Sequence, residues 1–141
     1  MASERFVDTN VVVYAFMTND PRHEAAKSVL AAGGVISVQV ANEFTDVARR
    51  KLHWEWEHIA AMLAHVRAVL GPPVSITDAI HQSALKLSRR YNLRIYDSLI
   101  VSAAKHAGCR VLLTEDLQHK QVIEGVVVRN PFRLDEPEPQ T

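Results

Sequence analysis

Short apolar runs alternate with longer amphipathic stretches along most of this chain. The runs rich in β-branched residues, which predict strands, are 5–7, 35–38, 110–114 and 126–129, with a short further one at 74–76. The stretches with helical spacing of apolar residues are 11–16, 23–32, 40–52, 55–70, 80–91 and 97–107. Strands that alternate with helices in this way indicate an α/β sandwich around a mostly parallel sheet.

Length and composition limit the alternatives. A chain of 141 residues suits a single domain, which we place at residues 1–133. Residues 134–141 are acidic, rich in proline and free of large apolar groups, and predict a disordered tail. The single cysteine, Cys109, excludes an internal disulfide framework and a cysteine-based zinc finger.

Charge and hydropathy indicate where such a protein acts. No segment predicts a membrane span or an export signal, so we expect the protein in the cytoplasm. The 16 basic residues balance the 16 acidic ones. A nucleic-acid site would therefore depend on local rather than overall charge.

Three aspartates stand beside predicted strands or a predicted helix start. Asp8 ends the first strand, Asp116 follows the strand 110–114, and Asp97 begins the apolar helix. Parallel α/β sheets place their ligands at the carboxyl ends of the strands. These positions therefore predict a site, although each aspartate alone could be a helix cap or a turn residue.

Glu43 is a fourth unusual carboxylate. At about 100° per residue it lies beside Val40 and Val47 on the inward face of its helix. A carboxylate at the edge of an apolar stripe needs a partner. An arginine such as Arg110 is one candidate, and a shared site with the three aspartates is the other.

Convergence of these four acids would require protonation or a cation. Two unit charges ~4 Å apart repel by about 4 kcal/mol at an effective dielectric constant near 20. Hard oxygen ligands without sulfur or paired histidines favour Mg²⁺ or Mn²⁺ over zinc. Such ions bind phosphate oxygens, which points to metal-assisted hydrolysis of a phosphate ester.

Four segments in this order resemble the PIN-domain nucleases, and among them the VapC-type toxins of prokaryotic toxin–antitoxin pairs. The segments are Phe6-Val7-Asp8-Thr9-Asn10-Val11, Ala41-Asn42-Glu43-Phe44, Tyr96-Asp97-Ser98-Leu99-Ile100-Val101-Ser102-Ala103-Ala104 and Leu112-Leu113-Thr114-Glu115-Asp116-Leu117. The resemblance covers about residues 4–133. Lys120 departs from it, since similar sequences often carry glycine there.

The resemblance implies a three-layer α/β/α sandwich and an endoribonuclease that uses Mg²⁺ or Mn²⁺. The acidic quartet of the family maps onto Asp8, Glu43, Asp97 and Asp116, and its hydroxyl residue onto Thr114. We expect the aspartates to bind the metal, and Glu43 to help hold it or to activate the attacking water. The resemblance also implies a homodimer and a cognate antitoxin that blocks the acidic groove.

Two kinds of residue are predicted to support the quartet. Thr114 would hydrogen-bond a ligating carboxylate, and Asn10 would do the same or touch the substrate. Two short basic clusters could contact RNA phosphates beside the site, or could be solvated helix ends. The residues of these clusters are Arg49, Arg50, Lys51, Arg89 and Arg90.

Three other classes fit less well. A phosphoacceptor receiver domain needs paired acids after its first strand, where Asp8 stands alone. A haloacid-dehalogenase-type phosphatase needs a second aspartate at position 10, which is asparagine. A PIN-like RNA- or protein-binding module without nuclease activity is the remaining alternative, and it would be favoured by loss of an acid from the quartet.

Overall fold

The computed structural model of the chain describes residues 4–133. The predicted tail, 134–141, lies outside the described residues. The helices are α1 Thr9–Tyr14, α2 His23–Ala31, α3 Val38–Arg50, α4 Trp56–Leu70, α5 Asp78–Tyr91 and α6 Ile95–His106. The strands are β1 Arg5–Val7, β2 Val111–Leu113, β3 Val122–Ile123 and β4 Val126–Arg129.

The four strands form one sheet in the order β1-β2-β4-β3. The pairs β1–β2 and β2–β4 are parallel, with Phe6 opposite Leu112 and Leu112 opposite Val128. Strand β3 is antiparallel to β4. The helices flank this sheet, which confirms the predicted α/β/α sandwich with a mostly parallel sheet.

Strand β3 was not predicted from the sequence. It has only two residues, too few for an alternating pattern to be visible. The two-residue loop that joins it to β4, Glu124-Gly125, has positive φ at both positions (48° and 88°). This geometry matches the twist of a tight hairpin, although Glu-Gly is not among the pairs that usually signal one.

The predicted strand 35–38 is wrong in part. Val35 makes a single parallel bridge to Phe6, and Ser37 makes one to Val74, so 74–76 is also reduced to one bridge. The segment ends early because Ser37 caps α3, its Oγ accepting a hydrogen bond from the Val40 N–H at 3.3 Å. Gly34 allows the close approach to β1, since a Cβ there would stand 2.7 Å from Cγ2 of Val7.

Helix α6 is the buried helix that the sequence predicts. Its residues 98–104 are all buried, and the Ser102 hydroxyl donates to the Ile80 carbonyl of α5 at 2.9 Å. It begins at Ile95 with Arg94 as the N-cap residue. Asp97 therefore lies in the first turn and is not the cap residue.

Lys120 has φ of +73°, the left-handed conformation that favours glycine. The loop thus keeps a glycine-type backbone despite the lysine, and the Lys120 N–H donates to the Val128 carbonyl at 2.8 Å.

Among the helices of residues 4–133, none combines the length and the apolar character needed to cross a membrane.

Candidate active site

The ends of two neighbouring strands place the first part of the site. Asp8 directly follows β1, and Thr114 directly follows β2. Because β1 and β2 are parallel neighbours, these residues meet at one edge of the sheet. The Asp8 N–H donates to the Leu113 carbonyl at 3.0 Å, which ties the two strand ends together.

Asp8 is 4% exposed and both of its carboxylate oxygens accept hydrogen bonds. Oδ1 accepts from the Thr9 N–H at 2.7 Å, so Asp8 also caps α1. Oδ2 accepts from the Thr114 hydroxyl at 2.7 Å. Asp8 therefore acts as the helix cap that the sequence allowed, and its other carboxylate oxygen is held by Thr114 at the strand ends.

Thr114 and Asn10 connect Asp8 to Asp116. The Thr114 oxygen accepts from the Asp116 N–H and from the Asn10 amide, both at 3.0 Å. Asn10 Nδ2 also donates to Oδ2 of Asp116 at 3.0 Å. Both residues predicted to support the acids therefore do hydrogen-bond them.

Glu43 reaches the same edge from α3. Its pKa is raised to about 7, mainly by burial and in smaller part by the negative charges of Asp8, Asp97 and Asp116. Its hydrogen-bond partner is Gln39, at 3.4 Å, and not Arg110. The pKa of Asp8 is raised to about 6, mainly by burial, with smaller contributions from Asp116 and Asp97.

Asp97 completes the quartet from the first turn of α6. Its carboxylate forms an ion pair with Arg94, Nε to Oδ2 at 3.1 Å. The side chain of Arg94 is 79% exposed, whereas that of Asp97 is 16% exposed. Asp97 and Asp116 thus lie close enough to contribute to the raised pKa values of Asp8 and Glu43, and Arg94 is the cation that pairs with Asp97.

The donor chemistry of this site fits a hard divalent cation. Burial is the main cause of the raised pKa values of Asp8 and Glu43, and the neighbouring charges of Asp97 and Asp116 contribute to both, as expected of carboxylates grouped without a cation. Within residues 4–133, no three His, Cys, Asp or Glu side chains already stand in a metal-binding cluster. The Asp8 carboxylate instead accepts hydrogen bonds from the Thr9 N–H and the Thr114 hydroxyl, and the Asp97 carboxylate forms an ion pair with Arg94.

A cleft of about 430 Å³ opens beside these acids. Its walls come from α1, α3 and the segments after α1 and β2, with the lining residues Thr9, Asn10, Val13, Tyr14, Met17, Asp20, Arg22, Glu43, Val47, Lys51, Leu52, Glu115 and Asp116. We call this space the acid cleft. Glu43 and Asp116 both line it.

Sequence reasoning missed a second polar cluster at the rim of the acid cleft. The Tyr14 hydroxyl donates to Glu115 at 2.5 Å, and Arg22 lies 3.9 Å from the centre of the Tyr14 ring. Arg22 also holds Asp20 through its Nε at 2.8 Å. These residues are polar and lie in separate segments, so no local spacing could have indicated the cluster.

Thr9 was also missed. It is 6% exposed, lines the acid cleft, and its hydroxyl oxygen is buried with no hydrogen-bond partner among residues 4–133. Position 9 lies between two residues that sequence reasoning singled out, but the sequence does not reveal which hydroxyls are satisfied.

The predicted RNA-contacting residues are dispersed. Arg49 donates to the Trp54 carbonyl at 3.1 Å and lies over the Trp56 ring. Arg50 makes a two-point contact with Asp46 at 2.9 and 2.7 Å. Lys51 alone of the five lines the acid cleft.

The second basic cluster lies elsewhere, in the last turn of α5. Arg90 faces Glu124 at 3.9 Å and lies over the Tyr91 ring, and Arg89 is exposed. Neither lines the acid cleft.

The chain belongs to the PIN domain family, whose characteristic sequence pattern it matches over residues 5–124. This match confirms the family on which the sequence interpretation rests. A search of curated protein sequences found no significant match.

Solved structures of toxins share the fold. One is the sarcin–ricin-loop-cleaving toxin VapC20 of Mycobacterium tuberculosis, with a TM-score of 0.65 and 19% identity over 79% of this chain and 91% of that one. A second is a toxin–antitoxin complex from Klebsiella pneumoniae, with a TM-score of 0.66 and 22% identity over 91% and 98%. A third is VapBC2 of Rickettsia felis bound to promoter DNA, with a TM-score of 0.64 and 21% identity over 89% and 97%.

Proposed function

We propose that this protein is a metal-dependent endoribonuclease and the toxin of a toxin–antitoxin pair. The observation that carries the proposal is that the charges of Asp97 and Asp116 contribute, together with burial, to the raised pKa values of Asp8 and Glu43, which indicates four neighbouring carboxylates. Membership of the PIN domain family and the shared fold of known toxins support it.

Asp8, Asp97 and Asp116 would hold Mg²⁺ or Mn²⁺, with Glu43 as a further ligand or as a base. A bound ion of this kind supplies electrostatic stabilisation of the charge that develops on the phosphate and leaving oxygen during hydrolysis. Thr114 holds the Asp8 carboxylate in a fixed orientation, and Asn10 does the same for Asp116. Such outer hydrogen bonds keep ligands in place before the ion binds.

Glu43 suits the role of general base. Proton transfer is most efficient when the pKa of the base lies near the working pH, and the pKa of Glu43 is raised to about 7. Its carboxylate would accept the proton of the water that attacks the phosphorus atom, so the phosphodiester bond breaks as the new P–O bond forms.

The proposed partners follow from the comparisons. The similar structure from Klebsiella pneumoniae is a toxin–antitoxin complex, and the one from Rickettsia felis is VapBC2. We infer that this protein also binds a cognate antitoxin, forms a homodimer, and acts on RNA in the cytoplasm.

The test is cleavage of total cellular RNA by the purified, antitoxin-free protein. Reactions contain Mg²⁺, Mn²⁺ or EDTA, and Asp97→Asn is compared with Asp78→Asn, an exposed acid of α5 that lies outside the site. We expect discrete fragments with either metal, none with EDTA or Asp97→Asn, and normal cleavage by Asp78→Asn. Mapping the fragment ends would then identify the target.

Calorimetric titration with Mg²⁺ and Mn²⁺ separates the possible failures. If the wild-type protein binds metal, Asp97→Asn abolishes this binding, and no RNA is cleaved, the metal site is supported and the nuclease activity is contradicted. Absence of both binding and cleavage would contradict the whole proposal and favour a PIN-like binding module.

A further inference from the structure

Asp116 is the one acid of the proposed metal site that neither a strand end nor a helix holds in place. Asp8 directly follows β1, whereas Glu43 and Asp97 belong to α3 and α6. Asp116 lies in the segment 114–121, which contains neither helix nor strand. Sites built on irregular segments are less precise than sites on helices and strands, unless other contacts support them. The side chains that hold this segment therefore bear directly on metal binding.

Helix α1 holds the segment from one side. Asn10 and Tyr14 are four residues apart and so lie on the same side of the helix. Asn10 donates to Oδ2 of Asp116 at 3.0 Å, and its side-chain oxygen accepts from the Glu115 N–H at 3.4 Å. The Tyr14 hydroxyl donates to Oε1 of Glu115 at 2.5 Å. Because Asp8 caps the start of this helix, α1 relates the position of Asp116 to that of Asp8.

Both carboxylate oxygens of Glu115 are held by side chains. Oε1 accepts from Tyr14, and Oε2 accepts from Arg22 at 3.4 Å. A hydrogen bond from a hydroxyl to a carboxylate is about twice as strong as one between neutral groups. The bond from Tyr14 is the shorter of the two, so Tyr14 is the principal anchor of Glu115, and Glu115 in turn directly precedes Asp116.

Tyr14 is itself fixed by its surroundings. Its ring packs against the guanidinium of Arg22, 3.9 Å from the ring centre, and edge-on against Phe132 at 5.3 Å. Nδ1 of His23 lies 3.0 Å from its carbonyl oxygen. The pKa of Tyr14 is raised above its usual range, mainly by burial and also by the bond to Glu115, so the hydroxyl keeps the proton that it donates.

We propose that Tyr14 is a positioning residue for metal binding: its hydrogen bond to Glu115 fixes Asp116 relative to Asp8, so that both carboxylates can hold one divalent cation. This inference rests on the proposed function and adds to it a residue beyond the four acids and their direct hydrogen-bond partners. Tyr14 contributes no ligand and acts only through Glu115. Without its hydroxyl, part of the binding free energy of the ion goes into ordering the segment 114–121, and the affinity falls.

The test measures metal affinity directly, by calorimetric titration of the full-length protein with Mn²⁺ in the absence of RNA. We expect Tyr14→Phe to weaken Mn²⁺ binding by about 5-fold, less than the roughly 10–100-fold for a residue that hydrogen-bonds a ligand directly. Tyr91→Phe is the matched control. Tyr91 also has an arginine over its ring, at 5.5 Å, but it ends α5 and does not line the acid cleft. Its variant should bind Mn²⁺ as wild type does.

A double-mutant cycle tests whether Tyr14 acts through Glu115. The double variant Tyr14→Phe, Glu115→Ala should bind Mn²⁺ no more weakly than Glu115→Ala alone, because the anchor is already lost. Urea unfolding of the metal-free variants measures stability separately, since a merely structural role of Tyr14 would lower stability and leave the Mn²⁺ affinity unaltered. Excess Mn²⁺ should restore RNA cleavage by Tyr14→Phe but not by Asp97→Asn.

Two results would overturn the positioning role: equal Mn²⁺ affinity of wild type and Tyr14→Phe, or a double variant that binds Mn²⁺ more weakly than Glu115→Ala. In either case, metal-dependent cleavage by wild type would still support the nuclease. Mn²⁺ affinity that depends on Tyr14, without cleavage of any RNA, would support the positioning role and contradict the nuclease. Absence of Mn²⁺ binding by wild type would contradict both.

Discussion

The Thr114 hydroxyl donates a 2.7 Å hydrogen bond to Oδ2 of Asp8, which lies 106 residues earlier in the chain. The Thr114 hydroxyl oxygen also accepts hydrogen bonds from the Asn10 amide and from the Asp116 N–H, both at 3.0 Å. One completely buried side chain therefore fixes the acids that follow two different strands.

Replacing Thr114 by valine should destabilise the protein by about 2–3 kcal/mol, because a nearly isosteric side chain leaves several buried polar groups without their partner. Thr114→Ser keeps the hydroxyl and is expected to lose less than half as much. Urea unfolding of the metal-free proteins measures both. Equal stability of Thr114→Val and wild type would show that this hydrogen-bond network contributes nothing to folding.

Asp8→Asn should change activity and stability in opposite directions. Loss of this proposed metal ligand should lower RNA cleavage by more than the roughly 10–100-fold that outer hydrogen-bond partners of a metal site cost. Removing a buried charge whose pKa is raised to about 6 should increase the free energy of unfolding of the metal-free protein at about pH 8, by about 1–3 kcal/mol. RNA cleavage and urea unfolding of one preparation test this, with Asp78→Asn as the control.

The metal-free protein should lose stability as the pH rises from about 4 to about 7. The folded pKa values of Asp8 and Glu43, about 6 and about 7, exceed their model values of 3.8 and 4.5. The stability that these groups contribute is therefore fully present below the unfolded pKa and is lost as the pH passes the folded pKa.

Thermal unfolding across this pH range tests the prediction, and the double variant Asp8→Asn, Glu43→Gln should flatten the profile. Added Mg²⁺ should raise the melting temperature of wild type more at about pH 8 than at about pH 5, since protonated carboxyls bind metal poorly. If the double variant shows the same dependence of melting temperature on pH as wild type, the loss of stability does not come from Asp8 and Glu43.

Thr9→Val should stabilise the protein. The Thr9 hydroxyl is buried without a hydrogen-bond partner among residues 4–133, and such a group costs about 1–3 kcal/mol. Valine has nearly the same shape and no polar atom to satisfy, so the melting temperature should rise. Thr9→Ser keeps the hydroxyl and serves as the comparison, and a melting temperature of Thr9→Val below that of Thr9→Ser would contradict this explanation.

Much of the fold was predictable because its signals are local. Helix α6 is apolar on nearly all sides, as only a buried helix can be, and Thr77 caps α5 with its hydroxyl 3.2 Å from the Ile80 nitrogen. Strands β1, β2 and β4 stand out as short β-branched runs. The errors lie where two or three residues decide the outcome, as at β3 and at the bridges of Val35 and Ser37.

The sequence by itself determined the residue types of the site and, for Asp8 and Thr114, their places at strand ends, since hydrophobic periodicity locates those ends. Only the tertiary structure decided the contacts that span the chain. It joined Thr114 to Asp8 and brought Tyr14 and Arg22 to Glu115. These contacts depend on packing of side chains that are distant in sequence, and for such pairs spacing along the chain carries no information.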